Sequence, residues 1–119
     1  MPLSGGKPPF NVQRSHCGGA SIYSCSGTFR LVNGGAAYLR SVVDVHDRLI
    51  LNLGKVVDMD PEAIGVLREF RDRTAKMHGV FALVAVPEVV VKQLRLHDQF
   101  TSFQMFNNET EALCRTAFR

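Results

Sequence analysis

The sequence predicts a single α/β domain with a mixed, mostly parallel sheet of four or five strands and about four helices. Three observations carry that expectation. Short apolar runs alternate with amphipathic stretches of helical length, an order that implies βαβ units with right-handed crossovers. A chain of 119 residues suits one domain. Hydrophobic residues at 45% against charged residues at 21% give a globular balance, since a disordered chain would be poorer in apolar residues.

The elements follow in order. Residues 1–9 hold Pro2, Gly5, Gly6, Pro8 and Pro9 and read as a loose tail ahead of a domain spanning 10–119. Residues 10–16 are expected to form a first strand, though their alternation is poor. Residues 20–26 make a better one, with Ile22, Tyr23 and Cys25 as strand formers and Gly27 as its end. Asn33-Gly34-Gly35 gives a turn or a helix start, followed by a helix over 36–46, where Ala36, Leu39 and Val43 recur at helical spacing. Residues 49–53 form a short buried strand ending at Gly54. The clearest helix spans 61–78. Ala63, Leu67, Phe70, Thr74 and Met77 mark its apolar stripe, and Glu69–Arg73, Arg68–Asp72 and Asp72–Lys76 are opposite charges four apart. Gly79 is expected to supply a left-handed stop. A second buried strand covers 80–86, Pro87 opens a helix to 97 as its first residue, and 103–106 is a short last strand. Asn108, with Glu111 three residues on, begins a C-terminal helix as a capping box.

Charge and composition exclude several classes. The net charge is +3, but the basic residues are spread from Arg14 to Arg119 without a cluster, so nucleic-acid binding is not expected. Cys17, Cys25 and Cys114 are odd in number and irregularly spaced, which argues against a secreted disulfide framework and for a reducing cytoplasm. No apolar stretch has the length of a leader or a membrane span. His16-Cys17 with Cys25 lacks the tight four-ligand spacing that zinc wants. Gly18-Gly19 and Gly34-Gly35 belong to no phosphate-binding loop, and no Gly-x-Ser-x-Gly elbow occurs. Phe100, Phe103 and Phe106 read as core beside the last strand. No catalytic constellation is left, so the chain is expected to be no enzyme and to need no cofactor or metal.

The informative stretch is Val57-Asp58-Met59-Asp60-Pro61-Glu62, where a strand and short loop run into the 61–78 helix. Asp60 is a good N-cap, because its carboxylate accepts hydrogen bonds from the first free amides. Pro61 follows at the first helical position, and Glu62 puts a negative charge on the positive end of the helix dipole. By local physics this is a well-built helix start, and Asp58 and Asp60 read as capping and solvated loop residues rather than a catalytic carboxylate pair.

Residues 49–67, together with the order of the other elements, resemble the STAS domain family, which includes anti-sigma factor antagonists. Gly27-Thr28-Phe29 is similar to the family's Gly-x-Leu after an early strand. Residues 78–84 are similar to its Gly-x-x-Leu-x-Leu-x strand, and 87–94 to its third helix. The resemblance covers about residues 20–114. It implies a partner-switching protein in which an anti-sigma factor with a kinase fold phosphorylates a serine at the helix start, where free amides favour an anion. At that switch the chain departs from the family pattern. Pro61 stands at the phosphoserine position, Glu62 at the following Ser or Thr, Ala63 at a glycine, and Arg30 at an aspartate three residues after Gly27.

The resemblance therefore implies a regulatory, protein-binding domain that acts as an anti-sigma factor antagonist without phosphorylation at the usual loop. Asp58, Met59, Asp60, Pro61, Glu62 and Ala63 form its docking loop, and Thr28 and Arg30 flank it. Two further expectations follow. Glu62 is a fixed substitute for the phosphate charge with Arg30 paired to Glu62 or Asp60, or the partner is held through the same surface and any switch lies elsewhere, at Ser26, Thr28 or Thr74. The expected partner is a kinase-fold anti-sigma factor. The alternatives are a STAS subunit of a lipid-transport ABC system or stress-signalling assembly, and a module binding a small anion or nucleotide near Arg30. An exposed sheet edge near the N-terminus allows a homodimer.

Overall fold

The computed structural model describes residues 9–30, 34–45 and 47–116. Five strands form one sheet in the order β1-β2-β3-β4-β5. β1 (Asn11–Cys17) pairs antiparallel with β2 (Ala20–Phe29). The parallel strands β3 (Arg48–Met59), β4 (Val80–Val84) and β5 (Gln104–Phe106) follow. The helices are α1 (Gly35–Val42), α2 (Ala63–Lys76), α3 (Glu88–Leu96) and α4 (Glu109–Thr116). The predicted mixed, mostly parallel sheet with four helices is therefore present. The C-terminal tail of the predicted domain beyond Thr116, the N-terminal tail up to residue 8, Asn33 and His46 lie outside the described residues.

Strand order determines which face each helix covers. The parallel strands advance across the sheet in one direction, and right-handed crossovers then bring α1, α2 and α3 to the same face. Tyr23, Phe29, Leu39, Leu51, Leu67, Phe70, Leu83 and Leu94 close the core there. α4 returns to the other face, where Ala112 meets Ala20, Ile22, Ile50, Ala82 and Val84. With both faces covered, β3 and β4 carry near-continuous apolar runs. Among the described residues no helix is long and apolar enough to cross a membrane.

Gly18 and Gly19, both at positive φ (57° and 80°), make the two-residue turn joining β1 and β2. That turn needs left-handed residues at both central positions.

Several boundaries differ from expectation, for physical reasons. Gly27 does not end β2. The strand runs on to Phe29 with Pro9 and Phe10 crossing over Gly27, where a side chain would strike the Pro9 backbone. Gly54 does not end β3 either. The strand continues to Met59 through two register shifts against β2, between Ser24 and Ser26 and between Gly27 and Thr28. Buried residues accordingly change from every second position (Leu49, Leu51, Leu53) to every third (Val56, Met59).

α2 begins at Ala63, because Pro61 and Glu62 form the turn before it. Gly79 is not left-handed. His78 takes that conformation (φ 57°), and Gly79 is needed because a Cβ would strike the Asp47 backbone. Met77 falls outside the buried stripe and is half exposed. The expected Glu69–Arg73 pair forms at 3.7 Å, and Arg40 of α1 reaches Glu69 at 3.1 Å, tying α1 to α2.

α1 spans residues 35–42 rather than 36–46, and β4 stops at Val84 rather than Val86. Pro87 is the N-cap of α3, in extended conformation, rather than its first helical residue. The segment before β5 opens with a 3-10 turn over Phe100–Ser102. Phe103 is buried edge-on to Phe81 at 6.2 Å. Asn108 caps α4 as expected, and the return bond of Glu111 goes one residue earlier, to Asn107, rather than to the Asn108 N–H. The Glu111 N–H donates to Asn108 Oδ1 at 2.8 Å, and Glu111 Oε1 accepts from the Asn107 N–H at 2.7 Å.

The candidate docking loop

The C-terminal ends of β2 and β3 place the candidate residues together. The second register shift sets Thr28 opposite Asp58 and Phe29 opposite Met59. Arg30, the residue after β2, therefore lies beside the last turn of β3. Its Nη1 donates to Asp58 Oδ2 at 2.7 Å, and its Nε lies 3.9 Å from Asp60 Oδ2. The sequence pointed Arg30 at Asp60 or Glu62. Asp58 is instead the primary partner, Asp60 a longer one, and Glu62 adds attraction from farther off. The Asp58 hydrogen bond holds the guanidinium above its already high ordinary pKa, and the neighbouring carboxylates reinforce it against desolvation.

The loop divides into buried and presented residues. Met59 and Ala63 are buried and anchor it to the core, as does Thr28 behind it. Asp60 is also buried, and its Oδ1 accepts the Ala63 N–H at 3.0 Å, which is the expected capping bond. Pro61 and Glu62 are exposed. Val57, four positions before Pro61, is exposed by 54%. The sequence set Val57 at the head of the informative stretch without fixing its side; Val57 is the extra residue at the second register shift, between Val56 opposite Gly27 and Asp58 opposite Thr28.

The first-turn amides of α2 are already occupied. Ala63 N–H is bonded to the backbone and side chain of Asp60, Ile64 N–H to the Pro61 carbonyl at 3.1 Å, and Gly65 N–H to the Glu62 carbonyl at 3.0 Å. Arg30 is engaged by carboxylates. Among the described residues, the amides of Ala63 to Gly65 and the Arg30 guanidinium already have partners. No hydroxyl occurs from Asp58 to Ala63. Of the other predicted acceptors, Thr28 and Thr74 are buried, Thr74 Oγ1 donating to the Arg71 carbonyl at 2.9 Å, and Ser26 is half-buried.

Three carboxylates against one guanidinium leave the loop net negative. Its exposed surface is a valine, a proline and a glutamate on a rigid strand-to-helix corner. Such a corner can bind a complementary surface; it holds no nucleophile activated by a base. Among the described residues no group of three or more His, Cys, Asp or Glu side chains could hold a metal ion.

The sequence matches the family model described as STAS domain over residues 16–112. No curated protein matches it. Among solved structures, it is similar to an anti-sigma factor antagonist from Mycobacterium paratuberculosis, at 21% identity and TM-score 0.75 over 91% of this chain and 94% of that one. It is similar to an anti-sigma-factor antagonist (STAS) domain protein from Planctomyces limnophilus, at 19% identity and TM-score 0.73 over 89% and 97%. The anti-sigma factor antagonist SpoIIAA in its unphosphorylated form is a third, at 16% identity and TM-score 0.69 over 88% and 95%. At these identities the likeness is one of fold.

Proposed function

The chain belongs to the STAS domain family, and from that premise we propose that it is a regulatory protein-binding domain of the anti-sigma factor antagonist kind. Its docking surface is the corner formed by Val57, Asp58, Asp60, Pro61 and Glu62, with Arg30 beneath it. Its partner is a kinase-fold anti-sigma factor, and the setting is the cytoplasm. The single observation that carries the reading is the Arg30–Asp58 bond at 2.7 Å, which fixes the corner without help from a ligand.

The loop has no phosphate acceptor, and the charges a phosphate would need are already paired. The domain therefore binds constitutively at this loop, and the partner's own state decides when the complex forms. The net negative corner calls for a basic partner surface with an apolar recess for Val57. Glu62 serves as a charged contact for the partner rather than as the mate of Arg30.

The test is calorimetric titration of the purified chain with a kinase-fold anti-sigma factor encoded beside its gene, with and without ATP. The expected result is binding of equal strength in both conditions and no phosphate on residues 58–63 by mass spectrometry. Binding of a small molecule alone, with no protein partner, would overturn the reading.

A further inference from the structure

The two edges of the sheet are finished differently. β5 is three residues long. β1 is seven residues long, and every one of its residues except Val12 is exposed. It pairs with β2 through seven consecutive residue pairs without a register shift. It contains no proline, lysine or bulge, and of the usual devices for blunting an edge it has one charged side chain, Arg14. In an antiparallel strand, alternate residues turn their N–H and C=O groups away from the neighbour, so β1 turns a row of donors and acceptors to its outer side, where no strand among the described residues pairs with it.

The side chains supply a second observation. Asn11, Gln13, Ser15 and Cys17 share one face of β1, and none is charged. α4 packs on that face mainly over β3, β4 and β5, with Ala112 reaching Ala20 and Ile22 of β2. A polar cleft of about 260 Å³ opens on the same face, lined by Asn11, Gln13, Ser24, Ser26, Asn52 and Lys55. On the other face the one strong charge of β1 is drawn back over its own domain. The Arg14 guanidinium lies 5.7 Å from the Tyr23 ring centroid and 3.9 Å from Asp44.

We propose that the β1 edge is a self-association surface, pairing antiparallel with β1 of a second copy about a two-fold axis at Arg14. This register matches all seven residues, with Gln13 opposite Ser15 and Asn11 opposite Cys17. It joins two five-stranded sheets into one and closes on itself, as an isologous contact must. The uncharged row meets an identical row without repulsion, and the partner's polar side chains extend over the cleft. Arg14 meets its own image at the axis, where Asp44 and Tyr23 hold each guanidinium aside. The loop from Asp58 to Ala63 lies on β3 and α2, so this pairing stands independently of the function assigned to that loop.

Sedimentation velocity of the full chain over a range of concentrations tests the idea. A monomer–dimer equilibrium is expected. The double variant Gln13→Lys/Ser15→Lys sets lysine against lysine twice across the axis and should raise the dimer Kd about tenfold or more. Gln13→Lys/Ser15→Glu sets lysine against glutamate at the same places and should dimerise at least as well as the unaltered chain. Circular dichroism checks that both variants keep the fold. Amide exchange of the unaltered chain gives a second measure, with β1 protection rising as concentration rises. A chain that stays monomeric throughout, or two double variants with the same Kd, overturns the proposal.

Discussion

Arg30 Nη1 lies 2.7 Å from Asp58 Oδ2, across the ends of two neighbouring parallel strands. The pair forms because the shifted register of β3 brings Asp58 level with Thr28, two residues before Arg30. Replacing Arg30 with alanine should remove this bond to Asp58 and loosen the corner while leaving the core intact. Partly exposed pairs add little to global stability, so the melting temperature should move by no more than a few degrees. Amide exchange at residues 58–62 should speed up, and affinity for the partner should fall. Unchanged exchange in this loop would show that the pair does not hold it.

Asp60 caps α2 from a buried position. Asp60→Ala removes the acceptor for the Ala63 N–H and should cost about 0.5–2 kcal/mol in urea unfolding. Asp60→Asn keeps an acceptor and should lose less. Equal losses for the two variants would point to the charge, through Arg30, rather than to the cap.

Pro61→Ser places a hydroxyl at the position that the family resemblance assigns to the acceptor. If a kinase-fold partner exists, this variant should gain a phosphate in the presence of ATP, and the unaltered loop should gain none. A phosphate beside Asp58, Asp60 and Glu62 adds like charge, so binding should weaken by about tenfold or more once ATP is added. An acceptor variant that is phosphorylated yet binds as before would sink the idea that this corner is the docking surface.

Cys25 is buried, and burial pushes its thiol up from an ordinary value near 9 to about 12. Its neutral form is favoured in the folded state, so the contribution to stability is full below the unfolded pKa. It is lost as pH rises from about 9 toward 12, where the unfolded chain holds fewer protons. Urea unfolding should show stability falling over that window, and Cys25→Ala should flatten the slope. At neutral pH a thiol reagent should label the exposed Cys17 and Cys114 in the native protein and leave Cys25 untouched.

Gly79 sits where a Cβ would strike the Asp47 backbone, whose carbonyl accepts the Val80 N–H at 2.6 Å. Gly79→Ala should therefore destabilise by roughly 1–3 kcal/mol, as overpacking does, with a matching fall in urea midpoint. A neutral result would show that the turn after α2 yields easily.

Much of the fold was legible because the helices and buried strands declare themselves through periodicity. The stripe from Ala63 to Thr74 and the run from Leu49 to Leu53 needed no tertiary information. What misled was glycine. Gly27 and Gly54 read as stops, yet both lie inside strands, one under a crossing chain and the other beside a bulge. Gly79 read as a left-handed residue, and close packing, not φ, is what requires it.

At the candidate site, every residue of the loop was visible in the sequence, but its pairing was not. An extended strand would turn Asp58 and Asp60 together to one side, and only the bulges set Asp58 against Arg30. The exposure of Val57, the extra residue at the second shift, was hidden for the same reason.

The two register shifts between β2 and β3 have a consequence for how this corner can change. One shift inverts the faces of all that follows, and the second restores them, so that Met59 points inward as Leu51 does. Losing a single residue between Gly54 and Val57 would exchange Asp58 for its inward neighbour and turn the corner inside out. Exchanging one side chain for another at Pro61 or Glu62 disturbs nothing beneath. The corner is thus intolerant of deletions and insertions by one, yet open to replacement in place. Such a scaffold lets the chemistry of a surface be rewritten while its shape is inherited unaltered.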